Sequence, residues 1–240
     1  STLDRSSAAS DVYKRQYHIL HGVDLAVPKG QLTMLLGRNG AGKTTTLRTI
    51  MGLWHASKGS IHFGGKDITA MNTPAIAGMN IAYVPENMGI FADLTVKENM
   101  LLAALSARNA AQMDEARLQW IFKLFPAVEK FWNHPAGKLS GGQKQMVAVS
   151  RAIVEPRDLL IVDEPSKGLA PAIINNMIDA FDQLKKSGVT ILLVEQNINF
   201  AKRLGDTVAV MDNGQVVHAG SMAALAQDEE LQRSLLGLAL

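Results

Sequence analysis

The stretch GRNGAGKT, Gly37 to Thr44, fits the spacing G-x-x-x-x-G-K-[ST] and restricts this chain more than any other feature. QLTMLL (Gln31 to Leu36) reads as a strand entering the loop, and Thr45 to Met51 carries helical spacing leaving it. Gly37, Gly40 and Gly42 let successive backbone N–H groups converge on a phosphate, and the helix N-terminus adds about half a positive charge. Lys43 is suited to neutralise the β and γ oxygens, and the Thr44 hydroxyl to ligate Mg²⁺. Arg38, Asn39, Ala41 and Thr45 complete the loop and first turn and are read with it as nucleotide contacts.

Strands and helices alternate around this loop. Val23, Leu25 and Val27 alternate as a half-buried strand, and IHFGGKDI (Ile61 to Ile68) carries a Gly-Gly hairpin signal. IAYV (Ile81 to Val84) is a further strand. Helical periods run over Thr95 to Ala107 and Asp114 to Phe125 behind Thr and Asp caps, and from about Gln143 to Val154, giving a helical insertion over about 88–155. LLIVD (Leu159 to Asp163) reads as a buried strand. A helix opened by Pro171 and stopped by Gly188 leads into VTILLVE (Val189 to Glu195). Asp212 to Gly214 turns a closing hairpin, and Ser221 caps the last helices. The expected architecture is one mixed α/β unit with a helical insertion.

Two further motifs carry chemistry. LLIVDE places Asp163 and Glu164 at a strand's carboxyl end, the edge where α/β sheets bind ligands. Asp163 suits support of Mg²⁺, and Glu164 suits polarising a water that attacks a γ-phosphate. LSGGQ (Leu139 to Gln143) sets Ser140, Gly141 and Gly142 at another helix N-terminus, a second anion seat that one nucleotide hardly needs.

In this order GRNGAGKT, LSGGQ and LLIVDEP resemble an ABC transporter ATP-binding subunit over essentially 17–240. YVPE (Tyr83 to Glu86), LTVKENM (Leu94 to Met100), EPSKGLAP (Glu164 to Pro171) and LLVEQN (Leu192 to Asn197) resemble the branched-chain amino-acid import ATPases. The resemblance implies a P-loop, RecA-like ATPase core with an antiparallel β subdomain and an inserted helical subdomain. It implies a Mg-dependent ATPase in which two subunits, of the same or a related chain, sandwich two ATP molecules. Each ATP then lies between Gly37 to Thr44 of one chain and Ser140, Gly141, Gly142 and Gln143 of the other, with Ser166 to Ala170 crossing the interface. Two transmembrane permease subunits and, indirectly, a substrate-binding protein complete such an importer, with this subunit peripheral on the cytoplasmic face of the inner membrane. Asn87 to Asp93, with apolar Ile90 and Phe91, is read as the edge of a groove for a permease helix.

Two positions depart from the general pattern of that superfamily. Glu86 stands where a Gln usually contacts Mg²⁺ and water, and Gln196 replaces the usual switch histidine. Gln196 is able to donate to a γ-phosphate and unable to relay a proton near neutral pH.

Composition narrows the alternatives. Lys+Arg 24 against Asp+Glu 22 gives a net +2 with interspersed signs, without the clustered base of a nucleic-acid surface. Apolar runs such as LLIV fall far short of the roughly 18 residues a membrane-spanning helix needs. The chain has no cysteine, which suits a reducing compartment, and its six histidines lack ligand spacing for a metal other than Mg²⁺. A soluble ABC-type ATPase acting on nucleic acid or ribosomes is the alternative; such proteins commonly carry two cassettes or a coiled-coil insertion, and this chain shows neither. A small-molecule P-loop kinase leaves LSGGQ unexplained.

The start of the chain reads differently. SDVYKRQ (Ser10 to Gln16) resembles an in-frame translation of a transposon-type library adapter, so 1–16 is read as non-native or disordered, with the native frame resuming near Tyr17. The aromatic on which the family stacks adenine then falls near Lys14, leaving Tyr17 as the candidate contact. Base stacking is worth about 1 to 3 kcal/mol. Lys14→Tyr is therefore expected to tighten ATP binding by about tenfold, read as a dissociation constant, and an unchanged constant removes the stacking argument.

Overall fold

The computed structural model describes residues 11–14, 17–108 and 113–237, with side chains over 19–106 and 113–237. Its centre is a six-stranded sheet of order β10-β9-β3-β8-β7-β6. β3 (Leu32–Gly37), β6 (Ile81–Val84), β7 (Leu159–Asp163), β8 (Thr190–Glu195) and β9 (Thr207–Asp212) pair in parallel; β10 (Gln215–Ser221) closes one edge antiparallel to β9. β3, β7 and β8 are buried along their whole length, which explains their unbroken apolar runs.

Alternate side chains on these strands enter two separate cores. Met34, Leu36, Leu160, Val162, Ile191 and Leu193 point into one; Leu35, Leu159, Ile161, Leu192 and Val194 point into the other. The first core receives the helical insertion: α3 (Val96–Arg108), α4 (Glu115–Leu124), the short α5 (Pro126–Lys130) and α6 (Gly141–Ala152). α7 (Pro171–Lys186), α8 (Ile198–Leu204) and α9 (Met222–Gln227) share it, and α10 (Glu229–Leu236) packs at its margin. The second core receives α1 (Lys43–Ile50) and α2 (Thr73–Ala77), β2 (Tyr17–His21) and the hairpin of β4 (His62–Phe63) and β5 (Lys66–Asp67).

The helix ends follow the cap residues. Asp114 accepts from the Arg117 backbone N–H at 2.7 Å, and Thr95 exchanges bonds with Glu98 across the first turn of α3. Gly188, at φ 88°, lies beyond the end of α7.

Three readings change. Val23 to Val27 is not a ladder strand; only Val27 forms a bridge, although Val23 and Val27 are buried. The alternation is satisfied by a segment laid on the second core that, Val27's bridge apart, joins no ladder among the described residues. α6 begins at Gly141, two residues earlier than the periodicity suggests, because Ser140 rather than a later residue caps it. α2, α5 and α8, of 5 to 7 residues, are too short to display a period. Within the segment read as foreign, β1 (Asp11–Lys14) pairs antiparallel with β2, Lys14 opposite Tyr17. Residues 1–10, 15–16 and the side chain of Tyr17 lie outside the described set.

Asn99, on α3 and fully buried, accepts from the Phe91 N–H and donates to the carbonyls of Phe91 and Thr95, each at 3.0 Å. It ties the loop after β6 to the helical insertion. Asn99→Ala leaves the Phe91 N–H unpaired, while the Phe91 and Thr95 carbonyls keep backbone bonds from residues 94 and 99, and is expected to cost about 1 to 3 kcal/mol, lowering Tm by roughly 3 to 10 °C in calorimetry.

Candidate nucleotide site

Parallel register brings the loop starts to one level at the sheet's carboxyl edge. Leu36 pairs with Glu195, Asp163 with Val194, and Val84 with Val162. The glycine loop leaves β3, Asp163 and Glu164 end β7, Glu195 ends β8, and Tyr83 and Glu86 lie at and beyond the end of β6. This is the edge where parallel sheets hold ligands.

The loop needs its glycines. A Cβ on Gly37, at φ 149°, would fall 2.3 Å from the Met211 carbonyl oxygen, so β9 passes too close for any side chain. Gly42 adopts φ 106° at the N-cap of α1 and supplies no side-chain cap, so no side chain competes for the first-turn N–H groups. Lys43 is buried, and its Nζ donates to the Gly37 and Arg38 carbonyls at 2.8 and 3.0 Å. Burial lowers its pKa, while Glu164 and Asp163 oppose the shift. Arg38, Asn39 and Gly40 are exposed at the loop's tip; Ala41 and Thr45 are buried beneath it and Thr44 is half-buried.

Asp163 is 1% exposed, and its Oδ1 has no hydrogen-bond partner. Burial pushes its pKa up to about 6; a hydrogen bond from Thr44 pulls the other way, and neighbouring Glu164 and Glu86 add to the rise. Tyr83 Oη makes a long contact, 3.5 Å, to Oδ2, and burial raises that phenol to about 12. An orphaned buried carboxylate oxygen beside a hydroxyl is the donor set of a hard divalent cation, so these residues fit Mg²⁺.

Glu164 follows directly at φ 49°, a left-handed conformation strained for a residue with a side chain. Its N–H donates to the Val194 carbonyl at 3.0 Å, fixing the turn. The turn delivers the carboxylate to three donors: Gln196 Nε2 at 2.5 Å, Lys167 Nζ at 3.3 Å and Lys43 Nζ at 3.9 Å. Gln196 and Glu164 are thus brought together. Glu86 is brought less far, with its carboxylate on Lys167 at 2.5 Å.

Ser140 caps α6: its Oγ accepts from Gln143 N–H at 3.3 Å, and Gln143 Oε1 accepts from Ser140 N–H at 2.9 Å. Ser140 and Gly141 are exposed. A Cβ on Gly142 would sit 2.8 Å from Ile173, so only glycine lets the start of α6 press on α7.

Two residues inside the quoted motifs take no role of their own from the sequence. Glu195, buried, accepts from the backbone N–H groups of Ser166, Gln196 and Asn197 at 2.9, 3.1 and 3.2 Å, locking the loops after β7 and β8 together. Lys167 bridges Glu86 and Glu164. The acid at the end of VTILLVE was a visible signal for the first; nothing local announced the second.

The profile of the ABC transporter family matches residues 20–167. The chain is similar to the high-affinity branched-chain amino acid transport ATP-binding protein BraG of Pseudomonas aeruginosa, 38% identical, covering 94% of this chain and 96% of that protein. It is 33% identical to the probable branched-chain amino acid transport ATP-binding protein LivF of Archaeoglobus fulgidus, over 93% of this chain and 94% of that one. Among solved structures it resembles the ADP conformation of an ATP-binding cassette of an ABC transporter, with TM-score 0.79, 26% identity and coverage of 96% and 97%.

The Asp163 carboxyl gives the site a pH signature. Its folded pKa, about 6, lies above the ordinary value of 3.8, so the folded protein holds this proton more tightly than the unfolded chain. The group costs nothing well below pH 4, and the cost grows as pH climbs through about 6, to an upper bound of about 3 kcal/mol. Asp163→Asn is expected to raise Tm by roughly 3 to 6 °C at pH 8 in EDTA and by under about 2 °C at pH 4.5. A gap that does not change with pH contradicts the assignment.

Proposed function

The chain belongs to the ABC transporter family as an ATP-binding, ATP-hydrolysing subunit, and from that premise we propose that it drives an importer of branched-chain or other hydrophobic amino acids. The observation that carries the mechanism is the pair of glycine-bearing helix starts in one chain. α1 opens beside Lys43, Asp163 and Glu164, whereas α6 opens at exposed Ser140 and Gly141 with no catalytic side chain hydrogen-bonded to it. A γ-phosphate seated on the first still has charge to satisfy, and the second, on another copy or a related chain, supplies N–H groups and a hydroxyl for it.

Each residue then has a task. The glycine loop and Lys43 hold the β and γ phosphates, with Lys43 exchanging the Gly37 and Arg38 carbonyls for phosphate oxygens. Thr44 and Asp163 would hold Mg²⁺, with Glu86 nearby, and the ion would neutralise phosphate charge. Glu164 accepts the proton of the attacking water. Gln196 orients Glu164 through its Nε2 and presents the same amide toward the γ-phosphate. Once the phosphate bond is cut, the attraction joining the two chains is lost and the pair opens.

A groove of about 920 Å³ along the β6 edge of the sheet suits a permease helix. Leu53, Trp54, Tyr83, Ala103 and Arg151 line it, and Leu53 and, in the neighbouring loop, Phe91 are each about half exposed. Arg151 stacks over Phe91 at 5.6 Å and donates to the Gly89 carbonyl, holding the 87–93 loop against α6. Among the described residues no helix is long and apolar enough to cross a membrane.

Glu164→Gln is expected to retain ATP, to shift toward dimer in size-exclusion chromatography with MgATP, and to lose hydrolysis by about 10² or more. A variant that turns over at the wild-type rate removes Glu164 from the base role, and one that stays monomeric beside its permease and sister subunit removes the sandwich.

A further inference from the structure

Negative charge on the acidic side of the site opposes a polyphosphate. Asp163, Glu164 and Glu86 converge there, and Lys43, which exchanges the Gly37 and Arg38 carbonyls for the phosphates, pairs with Glu164 alone of the three, at 3.9 Å. Arg48 faces Asp163, and the cation on Glu86 and Glu164 is Lys167. Its Nζ lies 2.5 Å from Glu86 Oε1 and 3.3 Å from Glu164 Oε2, so one ammonium spans the loop after β6 and the end of β7.

The position of Lys167 is built into the backbone. The preceding residue, Ser166, gives its N–H to buried Glu195 at 2.9 Å, and the Lys167 N–H bonds the Glu164 carbonyl at 3.2 Å. Gly168 follows at φ 70° and turns the chain away. The ammonium thus returns over the carboxylate three residues earlier while its side chain stays 57% exposed. Contact with the two carboxylates raises its pKa, so it is charged at any working pH.

We propose that Lys167 is the counter-ion that makes Glu86 compatible with nucleotide binding: it joins Glu86 to Glu164 and cancels the charge that Glu86 adds to the site. With Lys43, Arg48 and Lys167 against Asp163, Glu164, Glu86 and Glu195 the cluster carries one net negative charge; without Lys167 it carries two. A triphosphate meets the difference as repulsion over a few ångströms, which dilute salt screens poorly and concentrated salt screens well. Lys167 acts on the phosphates through the acids and is a positioning residue rather than a catalytic one. The inference rests on reading this edge as the ATP site.

The test is ATP affinity in EDTA, measured by displacement of trinitrophenyl-ATP from the full-length protein, so that neither Mg²⁺ nor turnover enters. At about 0.05 M salt Lys167→Met is expected to weaken ATP by about threefold to tenfold, and at about 1 M salt the loss should shrink below about twofold. Lys167→Arg keeps the charge and should stay within about twofold of wild type. Lys167→Met combined with Glu86→Gln restores the net charge and should return affinity to within about twofold of wild type. Loss that persists in concentrated salt overturns the proposal, as does Lys167→Met binding like wild type. A double variant as weak as Lys167→Met also overturns it, because Lys167 would then be contacting phosphate itself. Wild-type protein from which ATP displaces no trinitrophenyl-ATP overturns the ATP-site reading, and this inference with it.

Discussion

Acid crowded at one buried edge is the constraint around which the site is arranged. β7 and β8 are neighbours in parallel register, and each ends in carboxylates: Asp163 and Glu164 on one, Glu195 on the other. Buried carboxylates are tolerable only when something answers their charge. Glu195 is answered by three backbone N–H groups and becomes a fastener between loops. Glu164 is answered by Gln196, Lys43 and Lys167. Asp163 is answered only in part, and its free Oδ1 is what a divalent cation is able to complete. Three acids a few ångströms apart thus take three different roles from what donates to them.

That arrangement trades stability for readiness. The left-handed turn at Glu164 and the raised pKa of Asp163 are both unfavourable in the folded chain, and both are borne by strands buried on two faces. Leu159 to Val162 pack alternately into the two cores, so the end of β7 has little freedom to relax and the carboxylates stay aimed where the strand puts them. The same rigidity holds the glycine loop, since Gly37 lies against the β9 backbone and cannot withdraw.

The residues legible in the sequence were those whose chemistry is local. The glycine loop, Ser140 with Gln143, and LLIVDE each need only a strand end, a turn and a helix start, all within a dozen residues, and the structure shows the caps and turns those patterns require. Gln196 and Glu164 were legible as separate candidates; their 2.5 Å contact is set by the β7–β8 register, which no single segment encodes. Lys167 was invisible for a stronger reason. In sequence it is a charged residue in a loop, and its meaning comes from Glu86, 81 positions away. Val23 to Val27 failed in the opposite direction, because alternation reports burial of one face and not the presence of a ladder partner.

The two anion seats explain why a single chain is an incomplete machine. α1 opens at a left-handed glycine without a side-chain cap, inside a cluster of charges that must be balanced by a ligand. α6 opens at a fully formed capping box whose serine and glycine face solvent, with its own local bonds satisfied and no catalytic carboxylate bonded to it. The first has chemistry and unsatisfied charge; the second has neutral donors on a rigid start. In the proposed sandwich, a ligand bearing negative charge on more than one side lies between the first seat of one chain and the second seat of another. Breaking that ligand's terminal bond then changes how strongly the chains attract, and this is how a reaction confined to one edge of a sheet becomes a movement of whole subunits.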